Sequence, residues 1–148
     1  MKKLILTMLV AATFAFGQAD NGGKQAARKS QAKVLTRAEI DDLLSKPDQV
    51  LIIDVRRPDE VTSVGGFPVY LSIQIGDLEK SLAFIPKDRT IIALSNHAAR
   101  GGRAADILSK AGFKVAGAAG AEDYEMQGGT LTKIVPPPPN PNATSKKQ

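Results

Sequence analysis

Short apolar runs alternate with helix-like stretches between residues 34 and 135. The runs Val50–Val55 and Thr90–Leu94 are almost entirely apolar. Such runs are typical of strands covered on both faces, so they predict the central strands of a parallel sheet. A further short strand is predicted at residues 113–117, and a β-like stretch lies between Gly65 and Ser72.

Helix signals lie between these strands. Thr36 and Glu39 have the spacing of a capping box, apolar residues follow at helical spacing, and Pro47 ends the helix. Three further helices are predicted, at residues 77–84, 102–111 and 121–127, with Gly112 as the residue that ends the second of them. The alternation predicts a single α/β domain with a central parallel sheet and helices on both faces.

The N-terminal residues 1–19 have the pattern of a signal peptide. Lys2 and Lys3 precede an apolar run from Leu4 to Phe16, and small residues follow. Cleavage after Gly17 or after Ala19 fits the pattern equally well. We therefore expect a protein that is exported to the periplasm or secreted, and that does not span a membrane after signal removal, since no later segment is long enough.

Two other stretches differ in composition from the predicted domain at residues 34–135. Residues 20–33 are rich in Gly, Gln, Ala and Lys and predict a flexible linker. Residues 136–148 contain a polyproline run and predict a disordered tail. Basic residues of the linker suggest contact with nucleic acid or anionic lipid, or simply a solvated arm; without interleaved aromatic residues we expect no nucleic-acid binding.

The composition excludes several kinds of chemistry. The chain has no cysteine and one histidine, His97. Disulfide exchange, persulfide chemistry and thiolate metal sites are therefore excluded, and we expect no metal site and no cofactor.

The most informative segment is Thr90–Leu108, which predicts a strand, a tight loop and a helix. Ser95 lies where the strand ends, and ligands of open parallel sheets collect at such ends. Small residues and glycines let the following backbone curl, so that several N–H groups and the helix dipole would face an anion. The predicted anion-binding loop consists of Ser95, Asn96, His97, Ala98, Ala99, Arg100 and Gly101, reinforced by Arg103. A generic turn with solvated arginines explains the pattern equally well.

The same segment resembles the active-site loop of rhodanese-like domains, a sulfurtransferase family. That family has a strand, a catalytic Cys, four residues, an Arg and a helix, and this chain has Ser95 and Arg100 at those positions. Asp54-Val-Arg56 with the downstream Glu60 resembles a second family motif, and residues 109–115 resemble the segment after the active-site helix. The resemblance covers residues 34–135 and implies a single rhodanese-like domain. The chain departs from the family at Val64–Val69, at the late Gly-Gly…Trp signature and at Ser95.

The serine changes what the resemblance implies. Family members attack a sulfur atom with a thiolate, and a serine hydroxyl ionises far less readily and has no comparable sulfur-carrying chemistry. Serine hydrolysis would need a general base, and His97 is two residues away on the same loop with no obvious third orienting group. Asp54 either orients the loop, pairs with Arg56 or Arg100, or simply caps the next turn. Arg56, Arg57, Asp59 and Glu60 can equally be a local charge cluster at a helix start.

These observations predict an exported rhodanese-like domain that lacks sulfurtransferase activity and binds a small oxyanion or a protein partner. Two alternatives remain open. One is a sulfurtransferase-family enzyme in which Ser95 is a Cys-to-Ser variant or serves altered chemistry. The other is a structural or partner-binding protein that uses its tails.

Overall fold

The protein is described by a computed structural model over residues 29–133 and residue 135. The predicted signal peptide at 1–19, the linker residues 20–28 and the Pro-rich tail at 136–148 lie outside the described residues. In the described part of the chain, no helix combines the length and the apolar character needed to cross a membrane.

Within the described residues, four parallel strands form the central sheet. They are β1 (Val50–Asp54), β2 (Tyr70–Ser72), β3 (Thr90–Ser95) and β4 (Lys114–Gly120). Their order in the sheet is β2-β1-β3-β4, and every neighbouring pair is parallel. β1 is buried along its whole length, as its apolar run predicts, and β3 is buried from its second residue onward. The carboxyl ends of β1 and β3 lie side by side, because Asp54 pairs with Leu94.

In the described part of the chain, five α-helices pack around the sheet. They are α1 (Arg37–Leu44), α2 (Pro58–Val64), α3 (Leu78–Ser81), which continues as a 3-10 turn over Leu82–Phe84, α4 (Ala98–Lys110) and α5 (Ala121–Met126). The capping box of α1 is present as predicted: the Glu39 N–H donates to the Thr36 hydroxyl, and the Thr36 N–H donates to the Glu39 carboxylate. Such a pair satisfies two backbone donors that the first helical turn leaves open.

Apolar side chains pack on both faces of the sheet. One cluster joins α1 and α5 to the sheet and includes Ile40, Ile52, Ile92, Leu94 and Tyr124. The other joins α3 and α4 to it and includes Ile53, Leu78, Ile91, Ala105 and Leu108. Helices on both faces of a parallel sheet are what the sequence pattern predicts, and the α/β prediction is confirmed.

The structure differs from the predicted elements in three places. α4 begins at Ala98 instead of residue 102, so the two glycines at 101 and 102 lie inside the helix. β4 continues to Gly120, three residues past the predicted strand. α2 follows Arg57 directly, where the sequence analysis had recognised only a charge cluster at a helix start.

The end of the predicted linker contacts the domain. The Ala118 N–H donates to the Lys33 carbonyl (2.8 Å), and the Leu35 N–H donates to the Ala118 carbonyl (2.8 Å). The Gln31 N–H lies 3.4 Å from the Asp106 carboxylate on α4. Residues 31–35 therefore run beside β4 and α4, which differs from a free linker that extends to residue 33.

Candidate functional site

Ser95 is the last residue of β3 and its side chain is buried, with 1% of the residue exposed. Its hydroxyl donates a hydrogen bond to the backbone carbonyl of His97. The same oxygen accepts the Gly101 N–H at 2.8 Å. Both bonds join Ser95 to the backbone of its own turn, so the hydroxyl closes the connection between β3 and α4.

A buried ion pair lies at the end of the neighbouring strand. Arg56 and Asp54 are 0% and 1% exposed, and the Arg56 Nη2 lies 2.7 Å from the Asp54 Oδ2. The Arg56 Nε also donates to Asp54 Oδ1 at 2.9 Å. Two further bonds from the guanidinium reach the Gly65 carbonyl (2.8 Å) and the Asn96 side-chain oxygen (3.3 Å). Of the alternatives for Asp54, the structure shows two together: the carboxylate pairs with Arg56, and its Oδ1 also accepts the Arg56 backbone N–H (3.1 Å), which caps the next turn. The bond to the Asn96 side chain comes from Arg56.

Glu60 of α2 neutralises the arginine that the sequence predicts for anion binding. Both oxygens of Glu60 accept hydrogen bonds from the Arg100 guanidinium, at 2.6 and 3.0 Å. The Asn96 amide also donates to Glu60, at 3.2 Å. The hydrogen bond from Arg100 lowers the pKa of Glu60, so the carboxylate stays charged near neutral pH. Asn96 thereby links the Asp54–Arg56 pair to the Glu60–Arg100 pair.

His97 lies on the exposed side of the turn, between two carboxylates of α5. Its Nδ1 is 2.9 Å from Asp123 Oδ1, and its Nε2 is 3.3 Å from Glu122 Oε2. The hydrogen bond with Asp123 raises the pKa of His97. The ring is thus directed towards α5, and the hydrogen bond between the two residues runs from the Ser95 hydroxyl to the backbone carbonyl of His97. The arrangement does not supply the Ser95–His97 relay that a serine hydrolase needs.

Asp123 also occupies the N-terminus of α4. Its second carboxylate oxygen accepts the Ala98 N–H at 3.2 Å. A carboxylate is favourable there because the first N–H groups of a helix are unpaired and the helix dipole is positive at that end. Gly120 makes room for this contact, since a Cβ at that position would lie 2.0 Å from the Asp123 oxygen.

The seven predicted loop residues therefore form two different structures. Ser95 ends β3 and leads with Asn96 and His97 into the turn, whereas residues 98–101 are the first turn of α4. Two of the N–H groups expected to face an anion, those of Ala98 and Gly101, already donate to Asp123 and Ser95. Arg103 is exposed on the next turn of α4 and takes no part in the hydrogen-bonded network of Asn96, Glu60 and Arg100.

The sequence analysis did not identify Glu122 and Asp123, and it included Glu60 only as part of a motif. A signal for Glu122 and Asp123 was available, because they are the second and third residues after β4, whose carboxyl end borders that of β3. Residues after neighbouring parallel strands meet at the same edge of the sheet. Among residues 29–133 and 135, no group of three or more His, Asp or Glu side chains has an arrangement that could hold a metal ion.

Comparison with known proteins gives structural likeness alone. No protein-family model and no curated protein matches the chain. A rhodanese-related protein of Thermoplasma volcanium is similar in structure, with a TM-score of 0.60 and 19% identity over 69% of this chain and 99% of that one. A rhodanese-like domain protein of Staphylococcus aureus has a TM-score of 0.52 and 22% identity, over 60% and 85% of the two chains.

A thiosulfate sulfurtransferase of Pseudomonas aeruginosa is also similar, with a TM-score of 0.60 and 22% identity over 70% of this chain. The match covers only 21% of that larger chain. Together these likenesses show that the protein has a rhodanese-like fold, which it shares with sulfurtransferases.

Proposed function

We propose that this protein is an exported rhodanese-fold module that does not transfer sulfur and binds a protein partner through the face around the Ser95 turn. The observation that carries the proposal is the state of Ser95. The residue at the nucleophile position of the family carries oxygen in place of sulfur and is buried, and its hydroxyl donates to the His97 carbonyl and accepts the Gly101 N–H.

The chemistry of sulfur transfer argues against activity at this position. In the family, the thiolate forms a bond to the outer sulfur of thiosulfate while sulfite leaves with the electron pair of the broken S–S bond. The reaction requires a nucleophile that is ionised and able to carry sulfur, and a serine hydroxyl is protonated at neutral pH. The Ser95 proton is donated to a backbone carbonyl rather than to a base. No cysteine elsewhere in the chain can replace it.

The charges around the turn favour a protein partner over a free oxyanion. Arg56 is paired with Asp54, Arg100 with Glu60, and the first N–H of α4 with Asp123. An incoming oxyanion would have to displace one of these carboxylates and leave it near another negative group, at an energetic cost. The ion pairs also hold the side chains in one arrangement, and such preorganisation lowers the entropy lost when a partner binds.

Calorimetric titration of thiosulfate, sulfate and phosphate into the purified protein tests whether the turn binds a free oxyanion. We expect no saturable binding to the wild type and measurable binding to Glu60→Gln, which releases Arg100. Glu79→Gln, a change at an exposed carboxylate of α3, serves as the matched control. Saturable binding of thiosulfate to the wild type that Arg100→Ala abolishes would instead make the protein an oxyanion-binding module.

Partner binding is tested by placing a photo-crosslinking residue at Ala99, which is exposed beside the turn. A crosslinker at Lys46, which is exposed after α1, is the control. We expect one discrete adduct from position 99 in living cells and none from position 46. Equal adducts from both positions would contradict docking on this face.

The export part of the proposal rests on the pattern of residues 1–19. We expect the mature protein in the periplasmic fraction or the medium, with an N-terminus after Gly17 or Ala19. Mass spectrometry of the purified protein from the source cells measures this directly. A cytoplasmic protein that retains Met1 would overturn it.

A further inference from the structure

A groove lies between residues 29–34, called here the N-terminal segment, and the first half of α4, the helix that begins after the Ser95 turn. Its volume is about 540 Å³. Among the described residues it is lined by Lys29, Ser30, Ala32, Val34, Ala98, Ala99, Gly102 and Arg103. A volume of this size lies within the range of small-molecule sites, which is roughly 300–1,000 Å³.

The groove has an apolar surface and two cations. Val34 is an aliphatic side chain that remains 60% exposed, and Ala32, Ala98 and Ala99 extend the apolar surface. Gly102 allows the N-terminal segment to cross the helix closely, because a Cβ there would lie 2.8 Å from the Ser30 side chain. A concave apolar surface with few polar groups is the usual composition of a small-molecule site.

The two cations of the groove, Lys29 and Arg103, are without an acidic partner in the described part of the chain. Neither forms an ion pair with a carboxylate of residues 29–133 and 135. By contrast, the arginines around the Ser95 turn are paired with carboxylates at 2.6–2.7 Å. An anion bound in this groove could therefore pair with Lys29 and Arg103 without displacing a carboxylate of the described residues from either cation.

We propose that this groove binds a small apolar anion, with an alkyl chain on the Val34 and alanine surface and a carboxylate between Lys29 and Arg103. The site goes beyond the proposed function, since it needs neither catalysis at Ser95 nor an oxyanion in the turn. Ala98 and Ala99 belong to both the groove wall and the first turn of α4, so an occupant would contact the helix that the Ser95 turn begins.

A chain-length series of linear carboxylates tests the proposal. Hexanoate, octanoate and decanoate are titrated into the purified full chain, and binding is followed by calorimetry and by amide chemical shifts. We expect saturable binding that tightens by about twofold to fourfold for each added methylene. The shifted amides should include those of Ala99, Gly102 and Arg103. Octanol, which lacks the charge, should bind several-fold more weakly than octanoate.

Matched variants separate the groove from non-specific adsorption. Arg103→Glu should weaken octanoate binding by about fivefold or more, since it replaces an attractive charge by a repulsive one. Lys46→Glu, the same charge change at an exposed site outside the groove, should leave it unchanged. Ala99→Leu should fill the groove and abolish binding, whereas Ser109→Leu, on the same helix outside the groove, should not.

The proposal is overturned if no carboxylate binds saturably, if shifts map elsewhere, or if Arg103→Glu and Lys46→Glu bind octanoate equally. Circular dichroism melting of each variant shows whether it is folded, and the octanoate–octanol comparison on the wild type stands without any variant. The two proposals stay distinguishable, because thiosulfate binding to Glu60→Gln reports on the Ser95 turn and octanoate binding to the wild type reports on the groove.

Discussion

The inner and outer sides of the Ser95 turn are held by different interactions. On the inner side, Ser95, Asp54 and Arg56 are buried. Arg56 pairs with Asp54 and donates to the Gly65 carbonyl, and the Ser95 hydroxyl accepts the Gly101 N–H. On the outer side, His97 is 62% exposed and contacts Asp123 and Glu122 of α5. Water and salt screen exposed charges strongly and buried charges weakly. The inner side should therefore govern folding stability, and the outer side should respond to pH and salt.

The largest expected effect comes from breaking the inner ion pair. Arg56→Met leaves Asp54 buried without its partner and removes the bond to the Gly65 carbonyl. Removal of one member of a buried pair costs about 3–5 kcal/mol of unfolding free energy. Urea denaturation measures this, with Arg57→Met as control, because Arg57 pairs with Asp59 at the exposed surface. Equal losses of unfolding free energy in Arg56→Met and Arg57→Met would contradict a dominant role for the inner side in stability.

A methyl group at Gly101 should have the next largest effect. A Cβ there would lie 2.6 Å from the Ala93 carbonyl oxygen, in the backbone of β3. Helix propensity favours alanine by about 1 kcal/mol. We expect the overlap with the backbone to dominate, with a net loss of roughly 1–3 kcal/mol. Gly76→Ala, at a position where a Cβ meets nothing within 4 Å, is the control. A stabilised Gly101→Ala variant would show that α4 can move away from the sheet.

Removal of the Ser95 hydroxyl should cost a similar amount. Ser95→Ala deprives the buried Gly101 N–H of its acceptor, and an unsatisfied buried donor costs about 1–3 kcal/mol. Thermal melting of Ser95→Ala against Ser109→Ala, an exposed serine on the same helix, checks the expectation. If both variants melt alike, Ser95 does not hold the turn.

The outer side should contribute the smallest effect, visible through pH. The pKa of His97 is raised by Asp123, so its stabilising contact is fully present below its ordinary pKa and is lost as pH rises through the raised value. The Glu60–Arg100 pair has the opposite pH dependence. The pKa of Glu60 is lowered by Arg100, so this ion pair persists above the ordinary pKa of a glutamate and is lost as pH falls through the lowered value.

Proton NMR titration of the single histidine measures the first of these effects. We expect a raised pKa in the wild type that returns towards about 6.5 in Asp123→Asn and at high salt. An unchanged His97 pKa in Asp123→Asn would argue against the contact with α5.

The sequence predicted the sheet well because β1 and β3 are continuous apolar runs with few alternative structures. It predicted the start of α4 poorly, because Gly101 and Gly102 are weak helix formers and their use in close packing against Ala93 and Ser30 depends on tertiary contacts. The pairing of Arg100 with Glu60 was equally hidden, since the two residues are 40 positions apart and meet only after β1 and β3 align.

We propose that Ser95 makes the rhodanese-like fold unable to transfer sulfur, and thiocyanate formation from thiosulfate and cyanide tests this most directly. The purified wild type is compared with an enzyme-free reaction and with Ser95→Cys, which changes one oxygen atom to sulfur. We predict that the wild type produces thiocyanate no faster than the enzyme-free reaction. Sustained turnover by the wild type above that rate would contradict the account.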